Sequence, residues 1–214
     1  MSISRSHLLK LAIPLVAESG FTRTTLSRSV LHLPSPHSEP LSDSAVSSLF
    51  GSGNSAQKTL INAWLENGLD NMKTDNLPPP TLKEALHTRL SYNEAVLAHL
   101  PEAFAILCVP ESRMALPPLD AVPALKHAAH IADQACFVSG QGLSRESWYA
   151  KRASIMGIYT AAELHQLTSP RTAHAFLDDL LESSTKIGQS VSDMKEYAHY
   201  IFRSWGGLAR SRGW

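Results

Sequence analysis

The sequence has few cysteines and no excess of either charge. Cys108 and Cys136 are the only thiols among 214 residues, too few for a disulfide framework or a thiolate zinc site. Nineteen Lys and Arg residues balance nineteen Asp and Glu residues, whereas proteins that bind nucleic acid usually carry a basic excess. We therefore expect two free buried thiols and no nucleic-acid partner.

Long apolar runs and the common catalytic motifs are also missing. No run approaches the roughly 20 apolar residues that a membrane-spanning helix needs. The sequence contains no Gly-rich phosphate loop and no nucleophile elbow. We therefore expect a soluble or peripheral protein with no metal and no cofactor.

What the sequence does have is helical periodicity, with 43% hydrophobic residues and thirteen prolines as breaks. This pattern predicts an all-α bundle of about nine to eleven helices. The predicted helices cover approximately 4–19, 22–30, 42–50, 54–75, 81–100, 101–107, 121–138, 145–167, 170–181 and 191–209. We expect three parts, namely a small N-terminal subdomain (1–53), the main bundle (54–190) and an amphipathic C-terminal helix (191–214).

The first three predicted helices have the outline of a helix-turn-helix. A functional version needs a tight turn and a recognition helix with basic or amide side chains. Here the turn is the Pro-rich segment 33–41, and the third helix, 42–50, contains Asp43 and neither Lys nor Arg. The pattern therefore predicts a degenerate helix-turn-helix that does not bind DNA.

The helix predicted at 145–167 carries aromatic residues beside basic ones. Trp148, Arg152, Ile155 and Tyr159 share one face by their spacing, and Tyr149 and Met156 lie along another. Aromatic residues beside Arg are enriched at interfaces. The same spacing is also typical of an ordinary core helix with buried Trp and Tyr, and both interpretations remain open at this stage.

The last predicted helix is amphipathic. Its apolar stripe consists of Met194, Tyr197, Ile201, Trp205 and Leu208. Arg203, Arg210 and Arg212 follow without any acid up to Trp214. This composition is typical of a helix at a membrane surface, but a helix that docks on the bundle or forms a homodimer would show the same stripe.

Two Glu-x-x-His motifs raise the alternative of a di-iron enzyme. Glu84 and His87 form one, and Glu196 and His199 form the other. A di-iron site needs both motifs to point inward and two further Glu residues from other helices. Glu196 and His199 lie opposite the apolar stripe, so we expect no metal site. We likewise interpret His127, His130 and Asp133 as helix-surface residues.

Several motifs together resemble a known family, the mitochondrial ubiquinone-biosynthesis proteins that have a TetR-like fold and bind isoprenoid lipid. The resemblance is sharpest at Trp148-Tyr149-x-x-Arg152 and at Ile158-Tyr159-x-x-x-Glu163-Leu164. Weaker matches extend over nearly the whole chain. They are Glu18-x-Gly20-Phe21-Thr22, Leu49-Phe50-x-x-Gly53, Arg89-Leu90, Leu100-Pro101-Glu102-Ala103, Ser169-Pro170 and Phe176-Leu177.

The resemblance implies a TetR-like bundle that binds an isoprenoid lipid or ubiquinone precursor at the matrix face of the mitochondrial inner membrane. It also implies that the protein is not an enzyme, has no catalytic residues and presents the lipid to the di-iron hydroxylase of the pathway. From the N-terminal residues, no transit peptide is evident in this chain. The lipid-binding candidates are Phe104, Leu107, Ile155, Met156 and Tyr159. The candidates for binding the hydroxylase are Trp148, Tyr149 and Arg152. The membrane-binding candidates are Tyr197, Ile201, Arg203, Trp205, Leu208, Arg210 and Arg212. A TetR-type regulator with an apolar ligand and a protein-interaction scaffold without lipid are the alternatives.

Overall fold

In the computed structural model, the described residues are 4–35, 38–73, 78–110, 120–140 and 145–186, apart from the side chains of 145–148 and 185–186. Within these ranges the secondary structure is helical and contains no strand. This confirms the predicted all-α class. The TetR-like arrangement of the helices stays a prediction.

Helices α1 to α10 follow one another along the chain, with short 3-10 turns between some of them. Their bounds are α1 Arg5–Ala12, α2 Val16–Ser19, α3 Arg23–Arg28, α4 Asp43–Phe50, α5 Asn54–Asn71, α6 Leu82–Tyr92, α7 Leu100–Leu107, α8 Val122–Val138, α9 Arg145–Thr168 and α10 Ala173–Lys186. The 3-10 turns are Ile13–Leu15, Ser29–His32, Glu94–Val96 and Pro170–Thr172.

The chain forms two compact units. Unit 1 comprises Met1–Asn67 and Ala95–Leu107, and unit 2 comprises Gly68–Glu94 and Cys108–Trp214. The boundaries predicted from the sequence at residues 53 and 190 stay predictions.

In unit 1, local signals set the ends of the first helices. Gly20 ends α2 with φ +66°, a backbone conformation that favours glycine, and an added Cβ would lie 3.0 Å from Nδ1 of His99. Thr22 then begins α3, because its side-chain oxygen accepts a hydrogen bond from the Thr25 N–H. The segment predicted as one helix over 4–19 is two α-helices joined by a 3-10 turn that contains Pro14.

A single arginine ties α3 to α4 in unit 1. Arg23 donates from Nε to Asp43 at 2.8 Å, from Nη2 to the Ser47 hydroxyl at 2.6 Å and from Nη1 to the Gly51 carbonyl at 3.3 Å. Ser42 caps the start of α4. The guanidinium of Arg23 is therefore engaged in holding the predicted helix-turn-helix together.

In unit 2, α6 begins with a capping box, in which Thr81 accepts from the Glu84 N–H and Glu84 accepts from the Thr81 N–H. The predicted helix over 81–100 is wrong in its extent, because α6 ends at Tyr92. Asn93 turns inward there, where it is fully buried and hydrogen-bonded. A short 3-10 turn follows at Glu94–Val96.

The core of unit 2 lies among α6, α8, α9 and α10, which pack against one another. α8 carries small and apolar residues on one face, so α9 can approach it closely. No described helix has the length and apolar composition required to cross a membrane. The predicted C-terminal helix over 191–209 lies outside the described residues.

Candidate functional site

The lipid-binding candidates on α9 lie together in the core of unit 2. Ile155 and Tyr159 are buried in an apolar cluster that α8 lines with Ile131 and Ala135. Met156 is only partly buried and packs against the same cluster, at its rim. Phe104 and Leu107 are also buried, but they belong to α7 in unit 1. The structure thus brings three of the five candidates into one cluster.

Six polar side chains are buried at one margin of this apolar cluster, and we refer to them as the Glu163 network. Each is at most 5% exposed, although two of them carry ionisable groups that are usually charged and found at the surface. The members of the Glu163 network are Arg89, Asn93, His127, Tyr159, Glu163 and Gln166.

Hydrogen bonds connect the Glu163 network across α6 and α9. Asn93 accepts from Arg89 and donates its amide to Glu163 at 3.0 Å and to Gln166 at 3.1 Å. The Tyr159 hydroxyl donates to the same Glu163 oxygen, Oε1, at 3.0 Å. Gln166 donates to the backbone carbonyl of Leu90 at 2.9 Å. Asn93 is therefore the bridge between the buried cation and the buried carboxylate.

The network packs tightly around Arg89. The guanidinium carbon lies 5.3 Å from the centroid of the Tyr92 ring, within the range of a cation–π interaction. Gly68, near the end of α5, leaves room for both side chains. A Cβ added there would lie 3.0 Å from the Tyr92 ring and 3.1 Å from Cζ of Arg89. A side chain at position 68 would therefore displace one of them.

The charges within the Glu163 network are set by burial and by neighbours. Burial by itself raises the pKa of Glu163, but His127, Arg89 and Asn93 together outweigh it and lower that pKa below its ordinary value. Burial lowers the pKa of His127 and raises the pKa of Tyr159 well above its ordinary value. At neutral pH the network therefore holds an Arg–Glu charge pair among neutral partners.

His127 corrects one expectation from the sequence. We interpreted it with His130 and Asp133 as a helix-surface residue, but His127 is 5% exposed. Its Nε2 atom lies 3.4 Å from Arg89 and 3.6 Å from Glu163. His127 precedes Ile131 by four residues, so both lie on the buried face of α8. This spacing in the sequence could have predicted that His127 is buried. His130 and Asp133 are exposed, as expected.

The partner-binding candidates occupy the start of α9. The Tyr149 side chain is 75% exposed, and Arg152 is partly buried and paired with Asp133 of α8. The side chain of Trp148 lies outside the described residues. Phe137, near the end of α8, is 77% exposed and was not singled out from the sequence. Large exposed aromatic side chains are typical of interaction surfaces.

The remaining candidates from the sequence are the Glu-x-x-His motifs and the membrane-binding residues. Glu84 of the first Glu-x-x-His motif caps α6, whereas His87 contacts His174 and Asp178. Among the described residues no three His, Cys, Asp or Glu side chains are arranged to hold a metal ion. Glu196, His199 and all the membrane-binding candidates (Tyr197, Ile201, Arg203, Trp205, Leu208, Arg210 and Arg212) lie outside the described residues.

We predict that Glu163→Leu lowers the free energy of unfolding by about 3–5 kcal/mol, because it leaves Arg89 as a buried charge without its carboxylate. Adding Arg89→Met removes that charge, so the double variant should be destabilised less than the sum of the two single changes. Urea unfolding of all four proteins measures this. Strict additivity would contradict coupling between the two groups.

We also predict that His127 makes stability fall below about pH 6.5. Burial lowers the folded-state pKa of His127, so the unfolded chain takes up the proton first as the pH falls. His127→Gln should therefore lose less stability than the parent as the pH falls from about 7.5 to about 5.5. The control is His7→Gln, an exposed position on α1, which should follow the parent. Parallel curves for the parent and His127→Gln would refute the prediction.

Comparison with known proteins places the resemblance on the helices that build this site. The COQ9 family model matches residues 121–188, which include α8, α9 and α10. The mitochondrial ubiquinone biosynthesis protein coq9 of Schizosaccharomyces pombe is 25% identical over 134 residues, or 61% of this chain and 50% of the relative. COQ9 of Rattus norvegicus is 25% identical over 223 residues, covering 95% of this chain and 65% of the relative.

COQ9 of Bos taurus is 26% identical over 141 residues, covering 64% of this chain and 40% of the relative. The chain therefore spans between 40% and 65% of the length of these three relatives. The family model and the named relatives agree with the resemblance found in the sequence. The chain is thus similar to the COQ9 ubiquinone biosynthesis proteins, most clearly over residues 121–188, which the family model matches.

Proposed function

We propose that the protein is a non-enzymatic accessory protein of mitochondrial ubiquinone biosynthesis. It binds an isoprenoid quinone intermediate and presents it to the di-iron hydroxylase of the pathway at the matrix face of the inner membrane. The family match and the names of the relatives, which place them in ubiquinone biosynthesis and in mitochondria, support the pathway and the compartment.

The observation that carries the lipid part is the position of Tyr159. Its ring belongs to the apolar cluster, and its hydroxyl belongs to the Glu163 network. An isoprenoid quinone likewise has an apolar part, its long tail, and a polar part, its quinone ring. The tail gains about 25 cal/mol for each Å² of apolar surface removed from water, and the polar margin suits the ring oxygens.

Access for the lipid runs along α9 in this proposal. Tyr159 is fully buried, whereas Met156, one turn before it, is at the partly exposed rim. Methionine is flexible and polarisable, so it can repack around a ligand at low cost. We therefore place the entry of the lipid tail at Met156, with Ile155 beside it and Tyr159 at the inner end.

The partner and membrane parts of the proposal rest on two exposed aromatic side chains and on the basic residues near the end of the sequence. Tyr149 and Phe137 offer exposed aromatic side chains to a partner. The basic, Trp-containing segment from Arg203 to Trp214 is suited to anionic lipid headgroups. A lipid that passes from bilayer to protein there would not need to cross water.

A DNA-binding regulator is less well supported by the charges of unit 1. Helix α4 begins at Asp43 and has neither Lys nor Arg, and Arg23 donates its hydrogen bonds to α4 and the residues that follow it. Phosphate contacts require basic groups that are directed outward. A scaffold without lipid remains the alternative, and the following experiment separates it from the proposal.

We expect the protein to bind a short-tailed prenylated quinone, as followed by the change in tryptophan fluorescence on titration. Met156→Gln should weaken binding about tenfold, or about 1.4 kcal/mol, because it replaces an apolar contact at the rim with an amide. The matched control is Leu49→Gln, a partly buried position on α4 in unit 1, which should bind as the parent does. No binding by the parent would favour the scaffold.

We expect Tyr149→Ala to weaken binding to the di-iron hydroxylase by about 30-fold, the scale of a tyrosine at the centre of an interface. Its side chain is 75% exposed, so the thermal stability should change little. Val122→Ala is the control, because Val122 is an exposed hydrophobic residue at the start of α8 and outside the proposed partner surface. Equal affinities for the parent and Tyr149→Ala in a pull-down or by calorimetry would place the partner elsewhere.

A further inference from the structure

Helices α6 and α10 are joined by two histidines in direct contact. The Nδ1 atoms of His87 and His174 are 2.7 Å apart. The ring planes differ by 17° and the ring centroids are 4.8 Å apart. Because the N···N distance accounts for most of the centroid separation, the rings meet edge to edge. This is the geometry of an N–H···N hydrogen bond in the plane of both rings.

Each outer ring nitrogen faces a carboxylate. Nε2 of His87 lies 2.7 Å from Asp178 of α10, and Nε2 of His174 lies 3.1 Å from Glu94, in the turn after α6. The result is a continuous chain of four side chains, Asp178, His87, His174 and Glu94. None of them belongs to the Glu163 network or to the candidate partner surface.

The number of protons on the two rings follows from these contacts. Each of the two carboxylates accepts an N–H, and the Nδ1 contact holds one more, so the rings carry three protons between them. Two neutral rings have only two N–H groups, which leaves one contact without a proton. Two cationic rings have four, and two of those would point at each other between the Nδ1 atoms. The chain is complete only when one ring is neutral and the other is cationic.

The surrounding charges balance this state. Lys83 of α6 pairs with the other oxygen of Asp178 at 2.9 Å, so two carboxylates face one lysine and one imidazolium. The hydrogen bonds from Lys83 and His87 lower the pKa of Asp178 despite its partial burial, which keeps that carboxylate charged. From α9, His165 stacks on Phe176 instead, and Arg171 of the 3-10 turn is exposed.

We propose that His87 and His174 form a proton-sharing latch that holds α10 on α6 within a limited range of pH. Loss of the shared proton breaks one contact as the pH rises, and a second proton breaks the Nδ1 contact as the pH falls. Both histidines are one-quarter to one-third exposed, so protons can exchange with solvent. The latch therefore stabilises the packing of α10 on α6 in a pH-dependent way.

The parent protein itself gives the first test. In ¹⁵N–¹H spectra of the full chain near pH 6.5, the latch predicts three ring N–H groups on these two histidines, one of them shared between the Nδ1 atoms. Assignment uses the spectra of His87→Gln and His174→Gln. Two neutral rings at that pH would overturn the proposal.

The second test measures the pH profile of the thermal midpoint. Each of His87→Gln and His174→Gln should lower Tm by about 2–4 °C near pH 6.5, the scale of one hydrogen bond in a chain of this size. The loss should shrink toward alkaline and toward acid pH, because the proposal has the parent lose the latch in both directions. His165→Gln, beside the same helix, is the control and should show no such peak. A loss of Tm that is the same at every pH would contradict the latch.

Discussion

The buried carboxylate of Glu163 is the constraint to which much of unit 2 responds. A charge in an apolar interior is costly unless it is paired and fully hydrogen-bonded. The helices meet this requirement together. Helix α6 ends at Tyr92, and Asn93 after it bridges Arg89 and Glu163. Helix α8 supplies the buried His127. Helix α5 has a glycine, Gly68, where the Arg89 and Tyr92 side chains need space. A network of this kind favours one arrangement of the helices over others.

Helix α9 links this constraint to the proposed function. Its inner part contributes Glu163 and Tyr159 to the buried network, its middle part carries Met156 at the rim, and its first turns present Tyr149 to solvent. One helix thus runs from the polar end of the proposed lipid site to the proposed partner surface. A ligand that repacks the rim would therefore act on the same helix that the partner contacts.

Local signals in the sequence predicted the helix ends well, because capping depends on residues close in the chain. The predicted boundaries at 19, 22 and 81 agree with the Gly20 helix end, the Thr22 cap and the Thr81 capping box. The Glu163 network was missed because its members lie on different helices, and no local pattern shows that Arg89 and Glu163 share one interior. The same limit applies to His87, which forms part of a Glu-x-x-His motif in sequence but contacts His174 of α10 in the structure.

The central claim is that this bundle holds an isoprenoid lipid, and native mass spectrometry with lipid extraction tests it most directly. The full chain would be purified without detergent, so that any bound lipid comes from the cell. The account predicts a co-purifying isoprenoid quinone or a closely related lipid at up to one per chain. Protein that carries no lipid, and that takes up none when a quinone analogue is added, would contradict it.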